Sequence, residues 1–292
     1  MLNFIFKFRR RYSLVLDFEF FAVFSACLTK LLASKYSLGF DSFSSARKSC
    51  YSRTVVFDHS NHVRVIFLKF LDALRIKRPT DISMVPPIIP DSLKASALDK
   101  FPALWGNGVK IAININSSEL SYNRRWPEEN FRKLIHYIQR DFGGLQIYLI
   151  GGNGDKDFVE SFYISLQDKT GVMVTAGRLD ILEFTYALTR FTVLVTNDSG
   201  PLHIAEAVNT PVVGFFGPET HNLYGPLSEH SLVFYQNLYC SPCINTYNHK
   251  RSTCTDNQCL KLIDAEEVYQ KLKIRYLDLA ASDHNRTSIR LC

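Results

Sequence analysis

A polar run between two apolar segments is the part of this sequence best suited to chemistry. Residues 196–207 read TNDSGPLHIAEA, with FTVLV immediately before them and PVVGFF soon after. Gly200 permits a tight turn, and Pro201 suits a first helical turn because it needs no N–H partner there. Ser199 or Asp198 can cap that helix. The first-turn N–H groups and the helix dipole would then favour an anion, so the run predicts a phosphate-binding loop.

The same run has two other interpretations. A capped helix after a strand is common and needs no ligand. A serine hydrolase fits less well, because no G-x-S-x-G sequence surrounds Ser199. The phosphate interpretation also places His203 in the first turn, at the mouth of the site.

A second polar loop, NINSSELSYNRRWP at 114–127, follows the first apolar strand of the C-terminal half. Ser117 and Ser118 can donate hydroxyl groups to phosphate oxygens, and Arg124 and Arg125 supply planar cations that match phosphate. The arginines alone would fit a solvated basic loop. Two phosphate-type loops at one edge of a sheet favour binding.

A third loop, IGGNGDKD at 150–157, excludes two nucleotide-binding motifs. It has neither G-x-G-x-x-G nor G-x-x-x-x-G-K-[ST], so the dinucleotide fingerprint and the P-loop are both absent. Asp155 could face a ribose hydroxyl, and a purely structural turn fits equally well.

Alternating strand and helix patterns position these loops. From residue 109 onward five apolar strands, the last being PVVGFF, are separated by helical segments, which predicts a doubly wound parallel α/β sheet with ligands at the carboxyl ends of its strands. Residues 12–76 hold three further strands and two amphipathic helices. Five of the eleven prolines lie in 78–102 and indicate a boundary. We therefore expect a partial α/β domain at 1–85, a Pro-rich linker at 86–107, a donor-binding domain at 108–275 and a tail at 276–292.

Composition narrows the class of protein. The 292 residues are 46% hydrophobic and carry a net charge of +6, which suits a globular protein with anionic partners or simply a mildly basic surface. Lysine and arginine are scattered, so no nucleic-acid-binding stripe is predicted. The longest uncharged run near the N-terminus, residues 20–29, is too short to span a bilayer.

Seven cysteines suggest a reducing compartment, because the number is odd and no secretory signal precedes them. Four lie close together, at Cys240, Cys243, Cys254 and Cys259. The first pair has metal-knuckle spacing, and the second pair is more widely spaced than is usual for zinc. Zinc binding and free thiols both remain open.

These motifs together resemble glycosyltransferase family 9, the heptosyltransferase-like enzymes. The resemblance rests on TNDSGPLHIAEAVNTPVVGFFGPET, the Ser-Ser…Arg-Arg-Trp-Pro loop, the GGNG loop, and the later YGP and CSPC. It covers residues 109–270 strongly and 12–75 weakly. It implies a GT-B architecture of two Rossmann-like domains, with the N-terminal one incomplete.

The resemblance also implies an activity and a site. The C-terminal domain would bind a nucleotide diphosphate sugar such as ADP-heptose, and the other domain a lipid-anchored saccharide such as lipopolysaccharide core. By motif position, the diphosphate would contact residues on two sides: Asp198, Ser199, Gly200 and His203 on one, and Ser117, Ser118 and Arg124 on the other. Arg124 stands where the family commonly has lysine. Asp155 would contact the ribose. No metal cofactor is required, because arginine and helix amides can take its role.

The catalytic base is not identified by this comparison. The family opens with a strand and a glycine-containing loop bearing a catalytic aspartate, and this chain aligns from after that segment. Asp17 and Glu19 lie on a predicted strand, but nothing marks either as a replacement. We expect weak transfer or none, and a non-catalytic nucleotide-sugar-binding remnant is the alternative function. The expected location is cytoplasmic, with peripheral inner-membrane contact through Phe4, Phe6, Phe8 and the basic residues beside them.

Overall fold

The computed structural model describes residues 2–41, 45–117, 123–245 and 252–278. These residues form two compact units. The N-terminal unit contains the described residues up to Ile82, together with Asn222–Tyr224 and the described part of Ile244–Ser252. The C-terminal unit contains the remaining described residues, beginning at Ser83.

The N-terminal unit is built on a three-stranded parallel sheet of order β1-β2-β3. Its core is largely aromatic. The Phe40 ring is fully buried and lies within 6 Å of the rings of Phe20, Phe57, Phe67 and Phe70. The elements are α1 (Leu2–Phe8), β1 (Leu14–Asp17), α2 (Val23–Leu31), β2 (Tyr36–Asp41), α3 (Ser45–Lys48), β3 (Arg53–Val56) and α4 (Val63–Ala73). The three strands and two longer helices predicted for this region are confirmed; α1 and the short α3 were not predicted.

The C-terminal unit contains a six-stranded parallel sheet of order β6-β5-β4-β7-β8-β9. Relative to the chain this order is 3-2-1-4-5-6, that of the doubly wound dinucleotide-binding fold, so the predicted fold class is confirmed. The strands are β4 (Lys110–Asn114), β5 (Gln146–Leu149), β6 (Val172–Val174), β7 (Val193–Asn197), β8 (Val212–Phe216) and β9 (Leu232–Tyr235). The sequence predicted the first five of these strands but not β9.

Helices cover both faces of this sheet, which explains why β4, β7 and β8 are buried at every position. The helix α6 buries Phe131, Leu134, Ile135 and Ile138, one stripe at helical spacing. The helices of this unit are α5 (Asp91–Lys100), α6 (Glu128–Asp141), α7 (Lys156–Ile164), α8 (Ile181–Leu188), α9 (Gly200–Ala207), α11 (Gln258–Lys261) and α12 (Ala265–Leu272). The short α10 (His221–Tyr224) belongs to the N-terminal unit from Asn222 onward.

The segment predicted as a linker, 86–107, differs in the structure. Its middle forms α5, which begins directly after Pro90. Ser96 and Lys100 on α5 both donate hydrogen bonds to the buried carboxylate of Glu183 on α8. Prolines cluster before this helix rather than within it, because a helix tolerates them only at its start.

The start of the predicted tail, 276–292, is also part of the C-terminal unit. Tyr276 and Leu277 are buried in the core cluster of that unit. The residues from 279 onward lie outside the described part of the chain.

Among the helices of the described residues, none is long and apolar enough to cross a lipid bilayer.

Candidate functional site

The candidate site lies where the order of the C-terminal sheet reverses, between β4 and β7. Asn114 at the end of β4 pairs in register with Thr196 near the end of β7. In doubly wound sheets this reversal opens a crevice at the carboxyl ends of the strands, and ligands bind there. The two predicted phosphate loops both begin at this point.

An amide–hydroxyl network joins the two strand ends. The Asn114 side-chain amide donates to Thr196 Oγ1 at 3.0 Å and to Ser199 Oγ at 2.9 Å. The Ser199 hydroxyl in turn donates to the carbonyl of Asn197 at 3.1 Å. Ser199 occupies the N-cap position of α9 but makes no side-chain cap hydrogen bond. Ser199, one of the two predicted caps, thus stands at the N-cap position, but its hydroxyl is turned toward the strand ends instead of the helix N–H groups.

A second amide, Asn197, fixes the loop that carries the arginines. Its Nδ2 donates to the carbonyls of Ile115 and Asn116 at 3.1 and 3.0 Å, and its Oδ1 accepts from the backbone N–H of Trp126 at 2.8 Å. The buried Trp126 ring stacks on Phe215 of β8 with centroids 4.3 Å apart. The chain just before α6 is thereby anchored to the sheet.

The two arginines of this loop have different roles. Arg124 Nη1 lies 3.2 Å from Asp198 Oδ2, and the two side chains are only 15% and 9% exposed. Arg124 Nε is buried and has no hydrogen-bond partner among the described residues. Arg125 instead lies over the Phe158 ring at 4.5 Å and donates to the Ser117 carbonyl at 3.4 Å. Arg124 thus pairs with Asp198 just before α9, whereas Arg125 braces the loop against α7.

Gly200 opens α9 at the exposed end of this network. Its φ lies outside the left-handed region, and a Cβ built on it meets no heavy atom within 4 Å. The protein's own packing therefore does not require glycine at this position, and the turn at Gly200 does not depend on a left-handed backbone. A glycine at a helix N-terminus leaves room for a group that approaches the backbone. His203 is half-buried in the first turn of the same helix.

The loop after β5 is held by contacts within the protein. Asp155 Oδ2 accepts a hydrogen bond from the Gly152 N–H at 2.8 Å and closes a short 3₁₀ turn. A Cβ on Gly151 would lie 2.6 Å from Asn116 Nδ2, so glycine lets this loop pack against the loop after β4. Asn116 Oδ1 is buried without a partner among the described residues. The ribose contact of Asp155 remains a prediction.

The structure brings most of the predicted site residues to one end of the sheet. Ser117 is buried directly after β4, while Ser118 lies outside the described residues. Sequence reasoning did not single out Asn114, Asn116, Asn197 or Trp126. The available signal was the alternation of asparagine with isoleucine at the end of a buried strand, because a buried amide needs partners.

The carboxylates of the N-terminal unit are engaged in structural contacts. Asp17 at the end of β1 is 7% exposed; its Oδ2 accepts from the Tyr51 hydroxyl at 2.5 Å and lies 3.6 Å from Arg47 Nη2. Burial and the hydrogen bond to Asp17 raise the pKa of Tyr51. Glu19 Oε1 accepts from the backbone N–H groups of Phe20 and Phe21 at 2.9 and 2.7 Å. These contacts do not mark either carboxylate as a base.

Comparisons with known proteins agree with the fold described above. A lipooligosaccharide heptosyltransferase 2 from Haemophilus influenzae is 28% identical over 54% of this chain and 47% of its own length. The crystal structure of a family 9 glycosyl transferase from Veillonella parvula superposes with a TM-score of 0.71 at 22% identity, covering 91% of this chain and 74% of that one. E. coli heptosyltransferase WaaC with ADP superposes with a TM-score of 0.64 at 19% identity, covering 93% and 75%.

The extent of these matches differs between sequence and fold. The chain spans about half the length of the Haemophilus relative that it matches, and the structural likeness at these identities concerns the fold. The profile described as Glycosyltransferase family 9 (heptosyltransferase) matches residues 2–253, which is most of the chain. The chain therefore belongs to glycosyltransferase family 9.

Proposed function

We propose that this protein is a glycosyltransferase that binds a nucleoside diphosphate sugar, with ADP-heptose as the donor, at the carboxyl ends of β4 and β7. The acceptor is a lipid-anchored saccharide such as lipopolysaccharide core. Two relatives support this proposal, the heptosyltransferase from Haemophilus and the E. coli WaaC heptosyltransferase with ADP.

The observation that carries the donor site is the position of Arg124 beside the start of α9. Its guanidinium lies 3.2 Å from Asp198, which closely precedes Gly200 in the chain, and Gly200 leaves the start of α9 open to an approaching group. A cation and a helix N-terminus at one strand end are the two features that bind diphosphate without a metal. Ser117, Ser118 and His203 are the further proposed donor contacts, and Asp155 the proposed ribose contact.

The same groups supply half of the chemistry of glycosyl transfer. The acceptor oxygen attacks the anomeric carbon, the bond from that carbon to the diphosphate breaks, and negative charge grows on the leaving diphosphate. Arg124 and the N-terminus of α9 stabilise that charge. A base must also take the proton of the acceptor hydroxyl; no residue of this chain is assigned that role.

Asp198 acts through Arg124 in this scheme. A carboxylate repels phosphate, so its value here is to orient the guanidinium that lies 3.2 Å away. Asp198→Asn should therefore weaken ADP binding in the wild-type background but have little further effect once Arg124 is replaced. A double-mutant cycle measures that coupling directly. Additive losses would contradict the positioning role.

Calorimetry with ADP, GDP and UDP tests donor binding on the full chain. We expect ADP to bind most tightly, and Arg124→Gln to weaken it by about 1.5–3 kcal/mol, roughly 10- to 150-fold, because a charge-assisted hydrogen bond is lost. His203→Ala should weaken ADP binding without unfolding the protein. Arg140→Gln is the matched control, since Arg140 is exposed and pairs with Asp141 on the surface. If none of the three nucleotides bound, the proposal would be wrong.

Transfer is tested separately from binding. The full chain is incubated with ADP-heptose and a lipid-linked saccharide, and release of ADP is followed together with the product. ADP binding without transfer would instead support a nucleotide-sugar-binding protein that does not catalyse the reaction. Turnover with another nucleotide sugar only would overturn the assignment of heptose.

Peripheral contact with an anionic membrane is also part of the proposed function. On α1 the Phe4 and Phe6 rings are 48% and 76% exposed. Lys7 lies in the last turn of α1, Arg9, Arg10 and Arg11 follow directly after it, and the first sixteen residues contain no acidic residue. Exposed aromatic rings beside basic residues suit the interface of a negatively charged bilayer, at about 1 kcal/mol per basic residue.

Vesicle co-sedimentation tests this contact. Binding to vesicles with anionic lipid should decrease with salt and with Arg9, Arg10 and Arg11 changed to Gln, and should be weak on neutral vesicles. The matched control changes Arg132, Arg140 and Arg190 of the C-terminal unit to Gln. Equal binding by both triple variants would contradict the proposal.

A further inference from the structure

The helix α2 of the N-terminal unit turns its large apolar side chains outward. Val23, Phe24 and Leu31 are 42%, 61% and 50% exposed, and Cys27 is exposed as well. Positions 23, 27 and 31 follow one another at four-residue intervals, with position 24 beside them, so the four side chains form one stripe along the helix. We call these four residues the α2 stripe.

The opposite side of α2 carries small or polar side chains. Ala26 is fully buried, Thr29 is 5% exposed, and Ser25 Oγ lies 3.3 Å from Arg47 Nη1. A surface helix normally does the reverse, because its large apolar side faces the core and its polar side faces water. The stability of the unit therefore does not explain the α2 stripe, and exposed apolar patches of this kind mark interaction surfaces.

Exposed aromatic rings are concentrated in the same part of the chain. Among the described residues, seven Phe and Tyr side chains are exposed: Phe4, Phe6, Tyr12, Phe18, Phe24 and Tyr36 in the N-terminal unit, and Tyr239 in the C-terminal unit. Single exposed apolar residues are normal on any surface, but six of seven within residues 4–36 form a cluster. The backbone N–H of Arg10, just after α1, donates to the carbonyl of Leu32, just after α2, at 2.8 Å. The exposed rings of α1 and the α2 stripe thus belong to helices whose ends are joined.

The charge around these residues is positive. Residues 1–40 contain two acidic residues and six basic ones, which are Lys7, Arg9, Arg10, Arg11, Lys30 and Lys35. Both carboxylates make contacts within the unit: Asp17 with Tyr51 and Arg47, and Glu19 with three backbone N–H groups. Lys30 and Lys35 are exposed at the end of α2 and just after it. Their aliphatic stems can lie along an apolar layer while the ammonium groups remain in water.

We propose that the α2 stripe inserts into the interface of an anionic lipid bilayer, so that α2 lies in the plane of the membrane beside α1. Apolar side chains, exposed aromatic rings and flanking Lys and Arg are the features of an interfacial helix. A second copy of the chain fits the charge less well, because a symmetric contact would bring the basic residues of both copies together. The inference rests on the proposed membrane contact and adds an apolar component to it.

Vesicle binding of the full chain is the primary test. Phe24→Gln with Leu31→Gln should weaken partition onto vesicles of phosphatidylglycerol and phosphatidylcholine by about tenfold, because two apolar side chains no longer leave water. The matched control is Ile164→Gln with Ile181→Gln, since these aliphatic side chains are 71% and 63% exposed in the C-terminal unit. It should bind like the wild type. Equal partition of the two double variants would show that the α2 stripe does not enter the bilayer.

Salt separates the apolar component from the attraction of charges. At about 1 M salt the Debye length is about 3 Å, so attraction to the charged surface is largely screened. Part of the wild-type binding should survive this treatment, and the variant with Phe24→Gln and Leu31→Gln should be released. Complete release of the wild type would mean that charge alone holds the protein, which would overturn insertion.

Tryptophan fluorescence reports insertion directly and does not depend on the glutamine variants. Phe24→Trp should shift its emission to shorter wavelength on vesicles and be quenched by lipids brominated on their acyl chains. Tyr239→Trp is the control, because Tyr239 is fully exposed in the C-terminal unit, and its emission should not respond. The signal of Trp105 and Trp126 is subtracted with the wild type. An unquenched tryptophan at position 24 on bound protein would contradict the proposal.

Analytical ultracentrifugation tests the competing occupant, a second copy of the chain. A wild-type dimer that Phe24→Gln with Leu31→Gln converts to a monomer, with vesicle binding unchanged, would assign the α2 stripe to self-association and overturn the bilayer. Failure of the proposed function has a different signature. If the wild type does not bind anionic vesicles, the proposed membrane contact is wrong together with this inference. If the wild type binds and both double variants bind equally, only the insertion of α2 is wrong.

Discussion

The two parallel sheets of this protein use the polar residues at their carboxyl ends in different ways. In the N-terminal unit, Asp17 is closed off by Arg47 and Tyr51, and its contacts are saturated within the protein. In the C-terminal unit, Asn114 and Asn197 join the strand ends beside α9, whose first residue, Gly200, is exposed. Polar groups at a strand end do not by themselves indicate a binding site. The two ends differ in access, because Asp17 and Arg47 are buried, whereas a Cβ on Gly200 would meet no heavy atom within 4 Å.

The largest expected effect tests the closed end. Arg47 is fully buried and bonds to Tyr51 and to the carbonyls of Glu19 and Ala22. Arg47→Met leaves Asp17 buried without its cation, so we expect a loss of about 3–5 kcal/mol in the N-terminal unit. Hydrogen exchange should report this in peptides from β1 to β3, while ADP affinity stays within twofold.

The neighbouring residue supplies the control for that experiment. Lys48 pairs with Asp41 at 2.9 Å, but its side chain is 62% exposed. Lys48→Met should change stability by less than about 1 kcal/mol. If Arg47→Met lost no more stability than Lys48→Met, or if it abolished ADP binding, the proposed difference between the two sheets would be wrong.

A somewhat smaller effect tests the open end. Asn197→Ala removes three hydrogen bonds that join β7 to the loop before α6. We expect a loss of about 2–4 kcal/mol in unfolding free energy, since buried partners are left unsatisfied, together with weaker ADP binding. Asn130→Ala, which removes one longer hydrogen bond to Ile263, should neither lower the unfolding free energy to this extent nor weaken ADP binding. Normal ADP affinity in Asn197→Ala would show that the network is structural only.

A third, smaller effect concerns the pH dependence of stability that Glu183 confers, at a position away from both strand ends. Burial alone would raise its pKa, but hydrogen bonds from Lys100, Ser96 and the Asp180 N–H lower it below the usual value. The pKa of Glu183 in the unfolded chain is about 4.3. Because its pKa in the folded protein is lower, the carboxylate stabilises the fold at pH values above about 4.3, and this stabilisation is lost as the pH falls through the folded pKa.

The measurement for Glu183 is denaturant unfolding at several pH values. Glu183→Gln should cost about 1–3 kcal/mol near pH 7, and the difference from the wild type should shrink below roughly pH 4. Glu160→Gln, on the exposed face of α7, is the control. A difference that persisted unchanged at pH 3 would contradict the ionic origin.

The smallest effect on stability belongs to Gly200. A methyl group there meets no protein atom within 4 Å, so Gly200→Ala should change stability by less than about 1 kcal/mol. ADP binding should nevertheless weaken by about tenfold if the diphosphate approaches this backbone. Unchanged affinity, measured by calorimetry, would place the ligand elsewhere on the sheet.

The sequence predicted the fold well where burial dominates. The strands β4, β7 and β8 are largely apolar and buried at every position because both faces are covered. The short edge strand β9 was missed, since four residues carry little periodic signal. The helix α5 was missed because the prolines before it indicated a linker.

The site was predicted less completely, for a physical reason. Sequence patterns located Arg124, Asp198, Ser199 and Gly200 near one sheet edge, but not the direction of each side chain. Ser199 turned away from α9 because the Asn114 amide lies within hydrogen-bond distance across the neighbouring strand. That neighbour is 85 residues earlier in the chain, so its position depends on the strand order rather than on local sequence.

The anchoring of Trp126 has a consequence for the entropy of binding. Its ring is stacked on Phe215, its indole N–H donates to the Ile263 carbonyl at 3.0 Å, and its backbone N–H is held by Asn197. The conformational freedom of residues 124–126 is therefore lost when the chain folds, before any ligand arrives. A ligand that meets Arg124 finds a side chain whose backbone is already ordered. Loosening Trp126 would transfer that entropy loss from folding to binding, and affinity would fall even if every contact with the ligand were kept.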